Sequence, residues 1–174
     1  LYSLVGDGGY FNDLIYCCQV GELMRHGFLA PCRYPRCHYG KDREAEVIDN
    51  IITGIYHNGG KAIVFTKSVK QADEMANLYL NRGMSVASLS GSTTKANRER
   101  IINGYREGSI RILFNKKVLE IGFDDPATDN VVLLNTTYSL NSYYQMVGRA
   151  IRTHPEKSFA TIYDVGYNVK RFGP

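Results

Sequence analysis

Residues 61–114, KAIVFTKSVKQADEMANLYLNRGMSVASLSGSTTKANRERIINGYREGSIRILF, switch back and forth between two hydrophobic periods. Lys61–Thr66 is a short, nearly solid apolar run, the pattern of a strand buried on both faces. Over Val69–Arg82 the residues Ala72, Met75, Ala76 and Tyr79 recur at helical spacing, and Gly83 ends that helix. Ser85–Leu89 reads as a second strand. Thr94–Glu107 reads as a helix with Arg98, Ile101, Ile102 and Tyr105 in one stripe, closed by Gly108, and Ile110–Phe114 as a third strand. Strands alternating with helices in this way predict a parallel sheet with helices on both faces and right-handed crossovers.

The alternation continues outward. Asn130–Leu134 and Ser158–Tyr163 read as strands on either side of a helix over Leu140–Ile151, on which Leu140, Tyr143, Tyr144, Val147 and Ile151 align. Upstream, Glu44–His57 carries Ile48, Ile51, Ile52 and Ile55 on one side, and Asn12–His26 is a second expected helix. Ala30–His38 reads as an extended segment, with Pro35 restricting it to a sheet edge. Gly6–Gly9 reads as a flexible entry. One α/β domain is expected over residues 41–174, with residues 1–40 as a linker and lead-in helix.

Bulk composition is that of an ordinary globular domain, with 44% hydrophobic and 22% charged residues among 174. A net charge of +4 permits contact with nucleic acid without demanding it. No apolar run has the length of a membrane helix, and no signal segment opens the chain. Cys17, Cys18, Cys32 and Cys37 all lie in the first quarter, which favours free thiols over a disulfide framework. Cys32, Cys37 and His38 lack a second ligand pair at zinc spacing, so no metal site is expected. The chain runs from Leu1 to Pro174 and reads as a piece of a longer protein.

Ligands of such sheets gather where strands end and helices begin. Thr66-Lys67-Ser68, Ser90–Thr94 and Asn115-Lys116-Lys117 follow the first three strands, and all are small, polar or basic. Side by side on one sheet edge, they would form a strip of phosphate binders, which fits a polymer backbone better than a single small ligand. A fourth loop, LEIGFDDP at 119–126, combines Gly122 with Asp124, whose carboxylate can accept a bond from a sugar hydroxyl. In QMVGRAIR at 145–152, Arg149 and Arg152 are expected on one helical face, with Gln145 a turn earlier and Gly148 allowing close approach. Two guanidiniums facing one way suit phosphate oxygens.

These segments in this order resemble the C-terminal motifs of superfamily 2 helicases, and among them the bacterial RadD-like DNA helicases. The resemblance covers nearly the whole chain and rests on KAIVF, LSGSTTKANRERIINGYREGSIRILF, LEIGFDDP and QMVGRAIR. It implies a RecA-like fold. Arg149 and Arg152 would be arginine fingers on the γ-phosphate of ATP, with Gln145, Gly122 and Asp124 also at the nucleotide. Thr66, Lys67, Gly91, Asn115 and Lys116 would lie along the nucleic-acid backbone, with Arg98 behind them. ATP and Mg2+ would be held mainly by an N-terminal RecA-like domain of the same protein. Single-stranded or branched DNA is the implied partner, RNA less so, in a bacterial or phage-encoded cytoplasmic protein without membrane contact. Glu120, where a Thr is common, and the extra basic pair Lys116-Lys117 depart from the pattern.

No Walker A loop or Walker B carboxylate pair stands in these 174 residues. Gly54–Gly59 has GxxxxG spacing, but Gly60 occupies the lysine position and a strand follows instead of preceding it. The chain is therefore expected to be inactive as an ATPase by itself. Two other readings stand beside this one: a non-catalytic nucleic-acid-binding module, and a small-molecule enzyme using Asp124 and His154 as acid and base.

Overall fold

Strands β2 (Ala62–Phe65), β3 (Val86–Leu89), β4 (Ile112–Asn115), β5 (Asn130–Leu133) and β6 (Ala160–Asp164) form the sheet, extended at one edge by the two-residue β1 (Cys32–Arg33). The structure is a computed structural model and describes residues 19–37, 41–116 and 123–173. Every neighbouring pair is parallel, in the order β1-β6-β5-β2-β4-β3. Around it stand α1 (Val20–Arg25), α2 (Glu44–His57), α3 (Val69–Leu80), α4 (Lys95–Glu107), α5 (Leu140–Val147) and α6 (Asn168–Phe172).

The two-residue period of the strands divides the core into two layers. Ile63, Phe65, Leu113, Val131, Leu133 and Ile162 face α4 and α5, meeting Ile101, Tyr105, Tyr143, Met146 and Val147. Ala62, Val64, Ile112, Phe114 and Val132 face α2 and α3, meeting Ile48, Ile52, Ile55, Ala72, Ala76 and Tyr79. The Tyr79 ring stacks on Phe114 with centroids 5.7 Å apart. Ser68, Thr94 and Ser139 cap α3, α4 and α5, each side chain accepting from the backbone N–H three residues on. Gly108 ends α4 in the left-handed conformation (φ 84°), which a side chain would strain.

Three expectations need correction. The helix predicted to reach Ile151 ends at Val147, because the backbone tightens there: Arg149 N–H donates to Met146 O and Ala150 N–H to Val147 O, both i to i−3. Ile151 O then accepts from Ala30 N–H, and Leu29 and Arg152 form an isolated antiparallel bridge. Leu140 and Tyr144, expected in the buried stripe, are exposed. Among the described residues of the extended segment predicted over Ala30–His38, the strand is just Cys32–Arg33, at the sheet edge that Pro35 required. Of the helix expected over Asn12–His26, Val20–Arg25 is helical; residues 12–18 lie outside the described residues, as do Gly6–Gly9, Cys17, Cys18 and His38. Cys32 and Cys37 are free thiols. Among the described residues, no helix is long and apolar enough to cross a membrane.

Candidate functional site

The sheet order places β2, β4 and β3 next to one another, so the loops that follow them lie side by side. Lys67 and Gly91 stand at the surface there and Lys116 is half-exposed. Lys67 pairs through its ammonium with Glu44 at the start of α2. Thr66 and Asn115, expected at the backbone-binding strip, instead turn their side chains inward. The Thr66 hydroxyl lies 2.9 Å from Ser68 O and 3.0 Å from Asn115 O, and the Asn115 amide donates to Val64 O at 3.2 Å. Strand ends leave buried carbonyls that need donors, and these two side chains supply them. They shape the loops that carry Lys67 and Lys116. In the next loop the Thr93 hydroxyl accepts from Ser90 N–H at 3.0 Å, and Arg98 donates to Ser90 O at 3.4 Å.

The second cluster joins the fourth loop to the arginines. Arg149 is buried, and its guanidinium donates to Phe123 O and, at 3.4 Å, to Gln145 Oε1. Burial lowers the pKa of Arg149 from its ordinary value. Arg152 pairs with Asp124, whose side chain is 64% exposed. Gln145 is itself exposed. Asp124, Gln145, Arg149 and Arg152 are therefore brought together; Gly122 lies outside the described residues. The two arginines do not share a helix face, since the tightened turn after Val147 points Arg149 into the core and leaves Arg152 at the surface.

Residues that the sequence reading missed hold this cluster in place. Lys61 reaches Asp125 at 2.7 Å, its backbone N–H donates to Asp129 Oδ1 at 2.7 Å, and its ammonium lies 4.5 Å from the Tyr105 ring centroid. Lys157 donates to three carbonyls, Pro126 O (2.7 Å), Thr128 O (2.9 Å) and Ala150 O (2.8 Å). It thereby ties the exit of the Asp124 loop to the arginine turn. Burial lowers Lys157 to about 8, against the pull of Asp129 and Asp125. Lys61 and Asn130 open β2 and β5, so this cluster is anchored at the N-terminal ends of the strands, away from the Lys67–Lys116 strip. The fourth loop was expected at the same sheet edge as the others; its exit lies at the opposite one. Nothing in the sequence links Lys61 to Asp125 or Lys157 to Ala150 except the fold. His154 accepts from Glu156 N–H through Nδ1 at 3.3 Å, a local turn contact.

A guanidinium held against a mostly exposed carboxylate can exchange that partner for a polyphosphate, whereas Arg149 sits in a fixed backbone contact. The chemistry of the donor set therefore fits a nucleotide phosphate approaching from outside the domain.

The sequence pattern of the helicase conserved C-terminal domain matches residues 43–154, more than half of the chain. The chain is 37% identical over 86 residues to the chloroplastic DEAD-box ATP-dependent RNA helicase 3B of Zea mays, covering 49% of this chain and 11% of that protein. It is 31% identical over 126 residues to DEAD-box ATP-dependent RNA helicase 53 of Oryza sativa subsp. japonica, covering 72% of this chain and 20% of that one. The chain thus spans a fifth or less of these two relatives. Its fold is similar to that of the C-terminal domain of the DEAD-box protein Dbp5, with a TM-score of 0.64 at 22% identity, over 84% of this chain and 82% of that domain.

Proposed function

Since the chain belongs to the helicase conserved C-terminal domain family of superfamily 2, we propose that it is the arginine-bearing half of a split ATP site in an ATP-driven helicase. The convergence of Arg149 and Arg152 on the Phe123–Asp124 segment, with Gln145 accepting from Arg149, carries the reading. ATP, when bound, supplies a transferring phosphoryl group on which negative charge develops. Arg152 would leave Asp124 to neutralise that charge, and Asp124 would be released toward the ribose. Arg149 would hold the turn from which Arg152 reaches out. The proposal takes residues 41–174 as the domain and 1–40 as the connection from an N-terminal RecA-like domain that binds ATP and Mg2+.

Lys67, Gly91 and Lys116 would grip a nucleic-acid backbone. The DNA preference that the RadD-like resemblance implies has no support from the relatives, which are named RNA helicases. We propose single-stranded nucleic acid as the partner, with RNA ahead of DNA on those names. In the full-length protein, Arg152→Ala should lower the kcat of ATP hydrolysis by roughly a hundredfold or more while nucleotide affinity persists. Unchanged turnover would remove the finger role. Comparing stimulation of the same ATPase by RNA and DNA of equal length decides the substrate.

A further inference from the structure

The loops after β5 and β6 build a feature that the arginine cluster does not use. They are locked together at Gly166, where a Cβ would lie 2.1 Å from Asn135 O. Thr136 Oγ1 donates to Gly166 O (2.9 Å), and Thr137 N–H donates to Asn168 Oδ1 (2.8 Å). The Asn168 amide donates to Asn135 O (2.9 Å) and Asp164 Oδ1 (2.8 Å), while Asp164 Oδ2 accepts from Val169 N–H (2.6 Å). Asn168 is fully buried at the centre of this bracket.

The bracket holds two aromatic rings outward. Tyr138 is 80% exposed and Tyr167 54% exposed. Tyr167 has φ 59° and ψ 28°, a left-handed conformation that is strained for a bulky residue. The Arg171 guanidinium covers one face of Tyr138, 4.0 Å from the ring centroid, and Lys170 beside it is exposed. With Tyr138 so exposed, its other face is open. The bracket also abuts the strip: Leu134 and Asn135 N–H both donate to Phe65 O, the residue before Thr66. Along the C-terminal ends of the strands the order is therefore Tyr167, Tyr138, Lys67, Lys116, Gly91.

We infer that Tyr138 and Tyr167, braced by Gly166 and Asn168, form a stacking platform for the bases of single-stranded nucleic acid, continuing the phosphate strip across β5 and β6. This rests on the nucleic-acid reading of Lys67 and Lys116. Arg171 on the Tyr138 ring, with exposed Lys170 next to it in the chain, adds cationic groups that suit the phosphates beside the stacked bases of such a strand. The water-facing ring of Tyr138 opposes folding, and an external stacking partner accounts for it.

Fluorescence anisotropy with this chain tests it, using a base-bearing oligonucleotide and an abasic strand of equal length. The base-bearing strand should bind more tightly. Tyr138→Ala and Tyr167→Ala should each weaken it about fivefold or more, and Tyr138→Phe should retain its affinity. The abasic strand should be indifferent to all three changes, whereas Lys67→Glu with Lys116→Glu should weaken both strands. If the lysine changes act and the tyrosine changes do not, the strip stands and the platform is overturned. Equal loss on both strands in Tyr138→Ala makes the ring a structural element and also overturns it. Absence of binding by either strand overturns the strip reading together with the platform.

Discussion

Substituting Arg149 and Arg152 separately by alanine should give two different kinds of loss. Arg149 is 6% exposed, and its guanidinium donates to the carbonyl of Phe123, itself a buried residue. A hydrogen bond from a charged donor contributes about 1.5–3 kcal/mol, and a buried carbonyl left without a donor costs further. Arg149→Ala should therefore destabilise this domain by roughly 3 kcal/mol. Arg152 and Asp124 have side chains 34% and 64% exposed, so solvent screens their pair and its loss should cost about 1 kcal/mol or less. For a domain of this size each kcal/mol is worth roughly 2–4 °C in Tm. Arg149→Ala should melt about 6–12 °C below the wild-type chain, and Arg152→Ala within about 4 °C of it. Urea titration of the isolated chain gives the same comparison as free energies. Arg149→Lys should fall between, because a point ammonium cannot span Phe123 O and Gln145 Oε1 as a guanidinium does. Equal shifts for the two alanine variants, or a larger one for Arg152, would refute the division into an anchor and a finger. A loss of ATPase in Arg149→Ala would thus mix unfolding with chemistry; Arg152→Ala is the cleaner probe of the proposed phosphate contact.

Gly166→Ala should destabilise the domain by about 3 kcal/mol, since its Cβ would meet the backbone O and C of Asn135 at 2.1 and 2.6 Å, and a change below about 1 kcal/mol in urea titration would contradict the bracket. Burial lowers Lys157 from 10.5 to about 8, so between those values the unfolded chain binds more protons and this group adds stability as pH rises. Tyrosines raised by burial, such as Tyr105, act in the opposite sense above roughly pH 10. Read below that limit, from about pH 8 to 9.5, wild-type Tm should therefore rise relative to Lys157→Met, and a constant gap would refute the assignment. Inserting two glycines between Lys116 and Phe123 should leave nucleic-acid binding nearly intact, since loop lengthening itself costs little, but bring the nucleic-acid-stimulated ATPase of the full-length protein down toward its basal rate.

The β/α alternation was legible because burial on two faces imposes near-solid apolar strands, and β2, with all four residues buried, shows that pattern. Helix faces were legible where packing obeys the period, as Ile48, Ile52 and Ile55 do on α2. The end of α5 was not, because QMVGRAIR keeps helical spacing past the point where the backbone tightens to i−3 bonds. That tightening separates Arg149 from Arg152, and no residue type announces it. Polar residues at strand ends were equally ambiguous: Asn115, expected in the loop after the third strand, ends β4 instead, and no residue pattern distinguishes a phosphate contact from a donor to Val64 O. Lys61 and Lys157 were invisible because their partners lie up to 68 residues away. The exposure of Tyr138 and Tyr167 depends on how two loops meet at Gly166, a property of the tertiary structure alone.

The two proposed regions, the Lys67–Lys116 strip and the arginine cluster, lie at opposite ends of the same strands. Lys67, Gly91 and Lys116 follow the C-terminal ends, whereas Lys61 and Lys157 anchor Asp124 and the arginine turn beside the N-terminal ends. Strands of four or five residues separate those ends by roughly 13–17 Å. The sheet between them is packed on both faces, and close-packed cores are poorly compressible, so it is a rigid spacer. On the proposed function, coupling between nucleic acid and nucleotide would then run through segments that join one end to the other. Helix α5 and the stretch between Lys116 and Phe123 each link the two proposed regions. Helix α5 begins one residue after Ser139, next to Tyr138, and ends at Val147, two residues before Arg149. The segment 116–123 begins at Lys116 on the strip and ends at Phe123, which Arg149 holds through its carbonyl. A ligand shifts a conformation only by contacting its two states differently. Base stacking on Tyr138 would bias the first segment and a phosphate on Lys116 the second, and both converge on Arg149. On the proposed function, the buried Arg149 would be the residue through which either end of the sheet senses the other, and Arg152 the one that would act on the result.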